Sequence, residues 1–176
     1  TDGVGFLTDL EAWHGIAVKD KRILLLGSGG AAKGIVRPLL SRGPKTLVIA
    51  NRTHASARAL ADQLNSENFI GLEGLGLDDT QLMKKRFDII INATSAGHKN
   101  SEMPIDDDFL EDAICYDLSY GPAASFFRWA ESNGAKRSID GLGMLIEQAA
   151  KSYEIWTGFS PETESVRAKI RADIDL

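Results

Sequence analysis

The stretch from Arg22 to Gly34 (Arg-Ile-Leu-Leu-Leu-Gly-Ser-Gly-Gly-Ala-Ala-Lys-Gly) constrains this chain more than any other. Ile23 to Leu26 is a short, uniformly apolar run, the pattern of a parallel strand buried on both faces. Gly27-Ser28-Gly29-Gly30-Ala31-Ala32 follows at once, and apolar residues at helical spacing (Ile35, Val36, Leu39, Leu40) come next. The order is strand, glycine turn, helix, with G-x-G-x-x-A spacing. In such a turn the first glycine permits the tight bend, the second lets the backbone approach a pyrophosphate, and the small third residue lets the helix pack close to the strand. Phosphates then meet free N–H groups and the positive end of the helix dipole. A glycine pattern alone also occurs in ordinary strand-to-helix turns; the flanking strand and helix are what select a dinucleotide site here.

The rest of the chain continues the alternation. Phe6, Leu7, Leu10 and Trp13 predict an opening helix over Val4 to His14, stopped by Gly15, with a linker from Gly15 to Lys21. After the Gly43-Pro44 turn, Thr46 to Ala50 is the second strand; Pro38 predicts a kink or local adjustment in the helix between. A helix over His54 to Leu64 follows, then a short third strand over Phe69 to Leu72, a loop over Glu73 to Thr80 and a short helix over Gln81 to Lys84. Phe87 to Ile91 and Ala113 to Leu118 are further strands, separated by an acidic surface loop over His98 to Asp108. A helix over Ala123 to Asn133 leads to a last strand, Lys136 to Ile139. Leu142, Leu145, Ile146, Ala149, Tyr153 and Trp156 mark a long amphipathic helix. Ser160-Pro161-Glu162 reads as the cap, first-turn proline and acidic first turn of a final helix to Asp173.

Alternating strands and helices predict a three-layer, doubly wound, mostly parallel α/β sheet with flanking C-terminal helices. Ligands bind such sheets at the carboxyl ends of the strands. The polar clusters fall there: Gly27 to Gly30, Asn51-Arg52-Thr53, Asn92 to Gly97 and Asp117 to Tyr120.

Charge and composition narrow the partners. A net charge of −5 with no basic run disfavours nucleic acid and anionic membrane, and no apolar stretch is long enough to span a bilayer. The single Cys115, in an apolar run, is expected to be a buried strand residue; with no disulfide framework, a reducing cytoplasm is expected. His14, His54 and His98 are scattered and read as surface residues, and with one cysteine they give no metal-ligand spacing. Trp13, Trp129 and Trp156 read as core or domain-packing residues. A start at Thr1, without Met or a leader, is expected of a fragment or a processed product.

Six motifs in order carry a resemblance over the whole chain: Thr1-Asp2-Gly3-Val4-Gly5, Gly27-Ser28-Gly29-Gly30-Ala31, Asn51-Arg52-Thr53, Asn92-Ala93-Thr94-Ser95-Ala96-Gly97, Asp117-Leu118-Ser119-Tyr120, and Asp140-Gly141-Leu142-Gly143-Met144-Leu145-Ile146-Glu147-Gln148-Ala149-Ala150. The chain resembles the nucleotide-binding and C-terminal part of the shikimate dehydrogenases, enzymes that reduce 3-dehydroshikimate with NADPH. The resemblance implies a Rossmann-like NADP-binding domain over residues 1–176: a hinge helix and linker over 1–20, a core over 21–139, and C-terminal helices over 140–176 that pack on a substrate domain. It implies that Asp2 is substrate-binding and catalytic, and that Tyr120 and Gln148 touch shikimate. It gives Gly27, Ser28, Gly29, Gly30 and Ala31 to the phosphate loop, Asn51, Arg52 and Thr53 to the 2′-phosphate pocket, and Thr94, Ser95, Leu118 and Gly141 to the rest of the cofactor site. The family often carries a second arginine soon after the first; here Ser56 stands at the nearest position and Arg58 slightly later.

The family also has an N-terminal substrate domain, bearing a lysine that pairs with the aspartate, and this chain begins at the aspartate. Reducing a ketone needs a proton donor beside the developing alkoxide, and no lysine here stands in a matching motif. The resemblance therefore implies a cofactor-binding piece, inactive alone. Without the companion domain, Phe6, Trp13 or Trp156 are expected in an exposed apolar patch, or in self-association that covers it. Two other readings stay open: an NAD-using quinate/shikimate dehydrogenase, which would want an acid at Asn51-Arg52, and a non-catalytic dinucleotide-binding module.

Overall fold

The computed structural model describes residues 1–65, 71–95 and 103–174. Six strands form one all-parallel sheet: β1 (Arg22–Leu26), β2 (Thr46–Asn51), β3 (Leu72–Gly76), β4 (Ile89–Asn92), β5 (Ile114–Asp117) and β6 (Arg137–Ile139), in the order β3-β2-β1-β4-β5-β6. The helices are α1 (Asp2–Leu7), α2 (Gly30–Ser41), α3 (His54–Asn65), α4 (Thr80–Met83), α5 (Ser125–Ser132), α6 (Leu142–Thr157) and α7 (Glu164–Ile174). The central strands are apolar through their interiors, with polar residues only at their ends, because both faces are covered. Ile23, Leu25, Leu47, Ile49, Ile89, Ile91 and Tyr116 pack under α1, α2, α3 and α6. Leu24, Leu26, Val48, Ile90 and Cys115 pack on the other face against Leu82 of α4, and against Phe126 and Ala130 of α5. These are the three layers expected, and Cys115 is buried, its thiol pushed up to about 12 by that burial.

Three boundaries differ from the sequence expectation. The third strand is Leu72–Gly76, sharing only Leu72 with the expected strand and otherwise running through the stretch read as a loop; Phe69 and Ile70 lie outside the described residues. Its glycines hide it, and Gly74 is there because a Cβ would come 2.5 Å from the Ala57 carbonyl oxygen of α3. The final helix begins at Glu164, after Ser160-Pro161-Glu162, and the Glu162 side chain accepts the N–H groups of Glu164 and Ser165. The opening helix turns from α to a wider π-helical course over Thr8–Trp13. α2 runs unbroken past Pro38, and α1 crosses it so closely that a Cβ on Gly3 would overlap the Pro38 ring.

The π turn delivers Asp9 into the interior, where it is fully buried. Tyr116 Oη donates to Asp9 Oδ2 at 2.6 Å, the Arg167 guanidinium of α7 binds Oδ1, and His14 Nε2 stands 3.5 Å away. Arg167 also reaches Glu147 at 3.2 Å and lies over the Trp13 ring, 4.3 Å from its centre. One turn on, Arg171 grips Asp140 with two 2.7 Å hydrogen bonds. Gly143 leaves room for the pair, since a Cβ there would overlap Asp9. α7 has no buried residue, so these arginines dock it. His14, expected at the surface, is half-buried and bonded to Arg137 at 2.7 Å. Phe6, expected exposed, is fully buried edge-on to Tyr116, because α1 is wedged between α2 and α6. Trp156, by contrast, is 80% exposed, so it is not a core residue. Among the described residues no helix is long and apolar enough to cross a membrane, and no cluster of His, Cys, Asp and Glu has the make-up of a metal site.

Candidate functional site: a dinucleotide cleft

The sheet order is that of a doubly wound nucleotide-binding fold, whose crevice opens where the strand order reverses, between β1 and β4. A cleft of about 750 Å³ lies there, walled by Gly27, Ser28, Gly29, Asn51, Arg52, Leu77, Ala93, Thr94 and Ser95, with Met103 and Pro104 beyond.

Each wall follows from a strand end. Gly27 leaves β1 at φ +101°, a conformation that favours glycine, and a Cβ there would stand 2.9 Å from the Ala93 carbonyl oxygen. Gly29, in the cleft wall, caps α2 without a side-chain acceptor, so no side-chain cap takes up the first N–H groups of the helix. Nothing lies within 4 Å of where a Cβ would stand on Gly29 or Gly30. That bare approach and those uncapped donors fit a pyrophosphate. At the end of β2, the Asn51 side-chain amide donates to the Thr53 carbonyl at 3.2 Å. Arg52 is exposed in the cleft wall and has no hydrogen bond or ion pair among the described residues.

The exits of β4 and β5 are tied together. Asn92, buried, donates to Asp117 Oδ1 at 3.1 Å and accepts from the Thr94 backbone N–H at 3.1 Å and hydroxyl at 2.6 Å. Asp117 also accepts the N–H groups of Ser119 and Phe127, both at 3.1 Å. Its burial pushes the carboxyl above the usual carboxylate range, against the lowering by these hydrogen bonds. This knot fixes where Thr94 and Ser95 meet the cleft.

Of the expected cofactor residues, the structure brings Gly27, Ser28, Gly29, Asn51, Arg52, Thr94 and Ser95 into one wall. Gly30 and Ala31 open α2 beside it, and Thr53 follows Arg52. Arg58 faces Asp62 at 3.8 Å on the exposed side of α3. Leu118 and Gly141 meet each other: Gly141 donates its N–H to Ser119 at 2.8 Å, and a Cβ on it would overlap the Leu118 carbonyl. That obstacle is backbone, so Gly141→Ala is expected to lower stability by about 1–3 kcal/mol, read by denaturant unfolding. A loss below about 0.5 kcal/mol would mean that the two loops part freely.

Of the expected substrate residues, Asp2 and Gln148 lie at the junctions of α1. Asp2 Oδ2 would be 3.1 Å from a Cβ on Gly34 of α2, and Gln148 backs onto Gly5 while accepting from Thr1 Oγ1 at 3.2 Å. Tyr120 is exposed in the loop after β5. Ala96 and Gly97 of the fourth motif lie outside the described residues. Sequence reading missed Leu77, hidden by the misplaced third strand, and the Asp9 cluster, whose signal was an acid between apolar Leu7 and Leu10.

The comparisons agree with this geometry. The family model described as shikimate / quinate 5-dehydrogenase matches residues 11–104, and that of the shikimate 5′-dehydrogenase C-terminal domain matches residues 141–171. The NADP(+) shikimate dehydrogenase of Alkalilimnicola ehrlichii is 43% identical over 175 residues, covering 98% of this chain and 63% of its own. The crystal structure of an Ael1 enzyme from Pseudomonas putida superimposes with a TM-score of 0.84 at 40% identity, covering 96% of this chain and 61% of the other. A shikimate dehydrogenase in complex with NADP+ superimposes at 0.81 with 34% identity, covering 98% and 61%. This chain thus spans somewhat over three-fifths of the length of these relatives. The chain belongs to the shikimate / quinate 5-dehydrogenase family.

Proposed function

We propose that this chain is the NADP-binding part of a shikimate dehydrogenase, which interconverts 3-dehydroshikimate and shikimate in the route to aromatic amino acids. When bound, NADPH supplies the hydride that reduces the ketone. The chain's own residues hold and orient it: Gly27 to Ala31 carry the pyrophosphate, Asn51, Arg52 and Thr53 the ribose 2′-phosphate, and Thr94, Ser95, Leu118 and Gly141 the nicotinamide end. The observation that carries this reading is Arg52. An NAD site places an acid after the second strand to accept from the ribose hydroxyls; here a neutral Asn51 and a guanidinium unpaired among the described residues stand in the cleft wall.

Asp2, Tyr120 and Gln148 contribute the substrate side, completed by the part of the relatives' architecture that this chain does not span. Residues 1–20 serve as the hinge, 21–139 as the cofactor core and 140–176 as the docking helices. Tyr153, Ile155, Trp156 and Phe159, all exposed around the end of α6, are the surface for that companion domain or for self-association. A lone buried thiol suits a reducing cytoplasm.

Steady-state assays with NADP+ and shikimate test the division. These 176 residues are expected to bind NADP+ without forming NADPH from shikimate, and the intact enzyme to do both. Turnover by these residues alone at the intact enzyme's rate would contradict the two-part account.

A further inference from the structure

Beside the cleft, and sharing Ser28, Gly29 and Asn51 with it, lies a second hollow of about 510 Å³. Its other walls come from two helices: Lys33 from α2, and Ser56 and Gln63 from α3. Lys33 sits one turn inside α2, its N–H already bonded to Gly29 at 3.0 Å, so only its ammonium is available to a ligand. That ammonium has no acidic partner among the described residues, in a chain of net charge −5. The hollow continues the cleft past Asn51 toward α3, on the side where the adenosine end lies if the pyrophosphate rests on the α2 N-terminus.

At this end of the cleft wall, Arg52 is the one arginine among the described lining residues. The position four residues after Arg52 is Ser56, a small neutral wall of the hollow, and Arg58 is paired outward with Asp62. A doubly charged phosphate facing Arg52 alone would be only partly balanced. The space left by the short Ser56 side chain is open to a flexible lysine from the facing helix, which reaches as a point charge without the planar fit an arginine needs.

We infer that Lys33 is the second cationic contact for the ribose 2′-phosphate and, with Arg52, sets the preference for NADP over NAD. This rests on the NADP reading of the cleft.

The experiment is isothermal titration of NADP+ and NAD+ into wild type, Lys33→Ala, Lys33→Arg and Arg58→Ala, with thermal unfolding of each as a check on folding. Lys33→Ala is expected to weaken NADP+ by roughly 3- to 10-fold, the scale of an exposed charged contact, with NAD+ nearly unchanged. Lys33→Arg should recover much of the loss, and Arg58→Ala should show none. Equal losses for both cofactors would assign Lys33 to the pyrophosphate and overturn the inference. Unchanged NADP+ affinity in Lys33→Ala, or a loss in Arg58→Ala instead, would also overturn it while leaving the NADP site standing. Wild type without a preference for NADP+ would overturn the reading beneath it.

Discussion

Asp9→Ala is expected to destabilise the fold by about 3–5 kcal/mol, the cost of breaking a buried ion pair from one side. The substitution leaves the buried Tyr116 hydroxyl without its 2.6 Å acceptor and Arg167 with Glu147 as its one carboxylate partner among the described residues. It should also loosen α7, which has no buried residue and depends on Arg167 and Arg171 for its docking. Guanidinium unfolding gives the first effect, and hydrogen exchange over Glu164–Ile174 the second. The charge has a pH signature. Burial raises the Asp9 carboxyl, but hydrogen bonds from His14, Tyr116 and Arg167 outweigh it and hold the group below the usual carboxylate range. A group depressed in the folded state stabilises above its unfolded value, about 3.9, and loses that contribution as pH falls through the folded one. Wild type should therefore lose its advantage over Asp9→Asn only below about pH 4. A loss for Asp9→Ala under about 1 kcal/mol would mean that the cluster is solvated and α7 held otherwise.

Arg52→Ala should weaken NADP+ binding on the order of 10- to 100-fold. A hydrogen bond to a charged group contributes roughly 1.5–3 kcal/mol, and each 1.4 kcal/mol is a decade of affinity. The planar guanidinium can give two such bonds to one phosphate. Its exposure pulls the effect toward the lower figure, because water screens the charge. NAD+ lacks the phosphate, so its weaker binding should change little. Equal losses for both cofactors would move Arg52 to the adenine or the fold.

Much of the site was legible before the structure because its residues are local to strand ends. Gly27 to Gly30 and Asn51-Arg52 sit beside the apolar runs that announce β1 and β2, and those runs are continuous because both sheet faces are covered. β3 was misplaced for the opposite reason. It is an edge strand with two glycines, and its glycine content reflects how closely α3 approaches, a tertiary fact. The start of α7 was misread because Ser160-Pro161-Glu162 carries cap chemistry while Pro161 and Glu162 help wall an apolar groove against α6. The Asp9–Arg167 clasp joins residues 158 apart, and Lys33 and Ser56 line one hollow only because α2 and α3 cover the same face of the sheet. No local pattern encodes either. Phe6 is expected in a patch facing a companion domain, but α2 and α6, from distant parts of the chain, cover it instead.

The central claim is that the cleft at the carboxyl ends of β1, β2 and β4 is an NADP site. Isothermal titration of the wild-type chain with NADP+ and with NAD+, at one ionic strength, tests it most directly. The account predicts tighter binding of NADP+ by about 10-fold or more, the value of one charged contact at the 2′-phosphate. Equal affinities, a preference for NAD+, or no binding of either by a chain that unfolds cooperatively would contradict it.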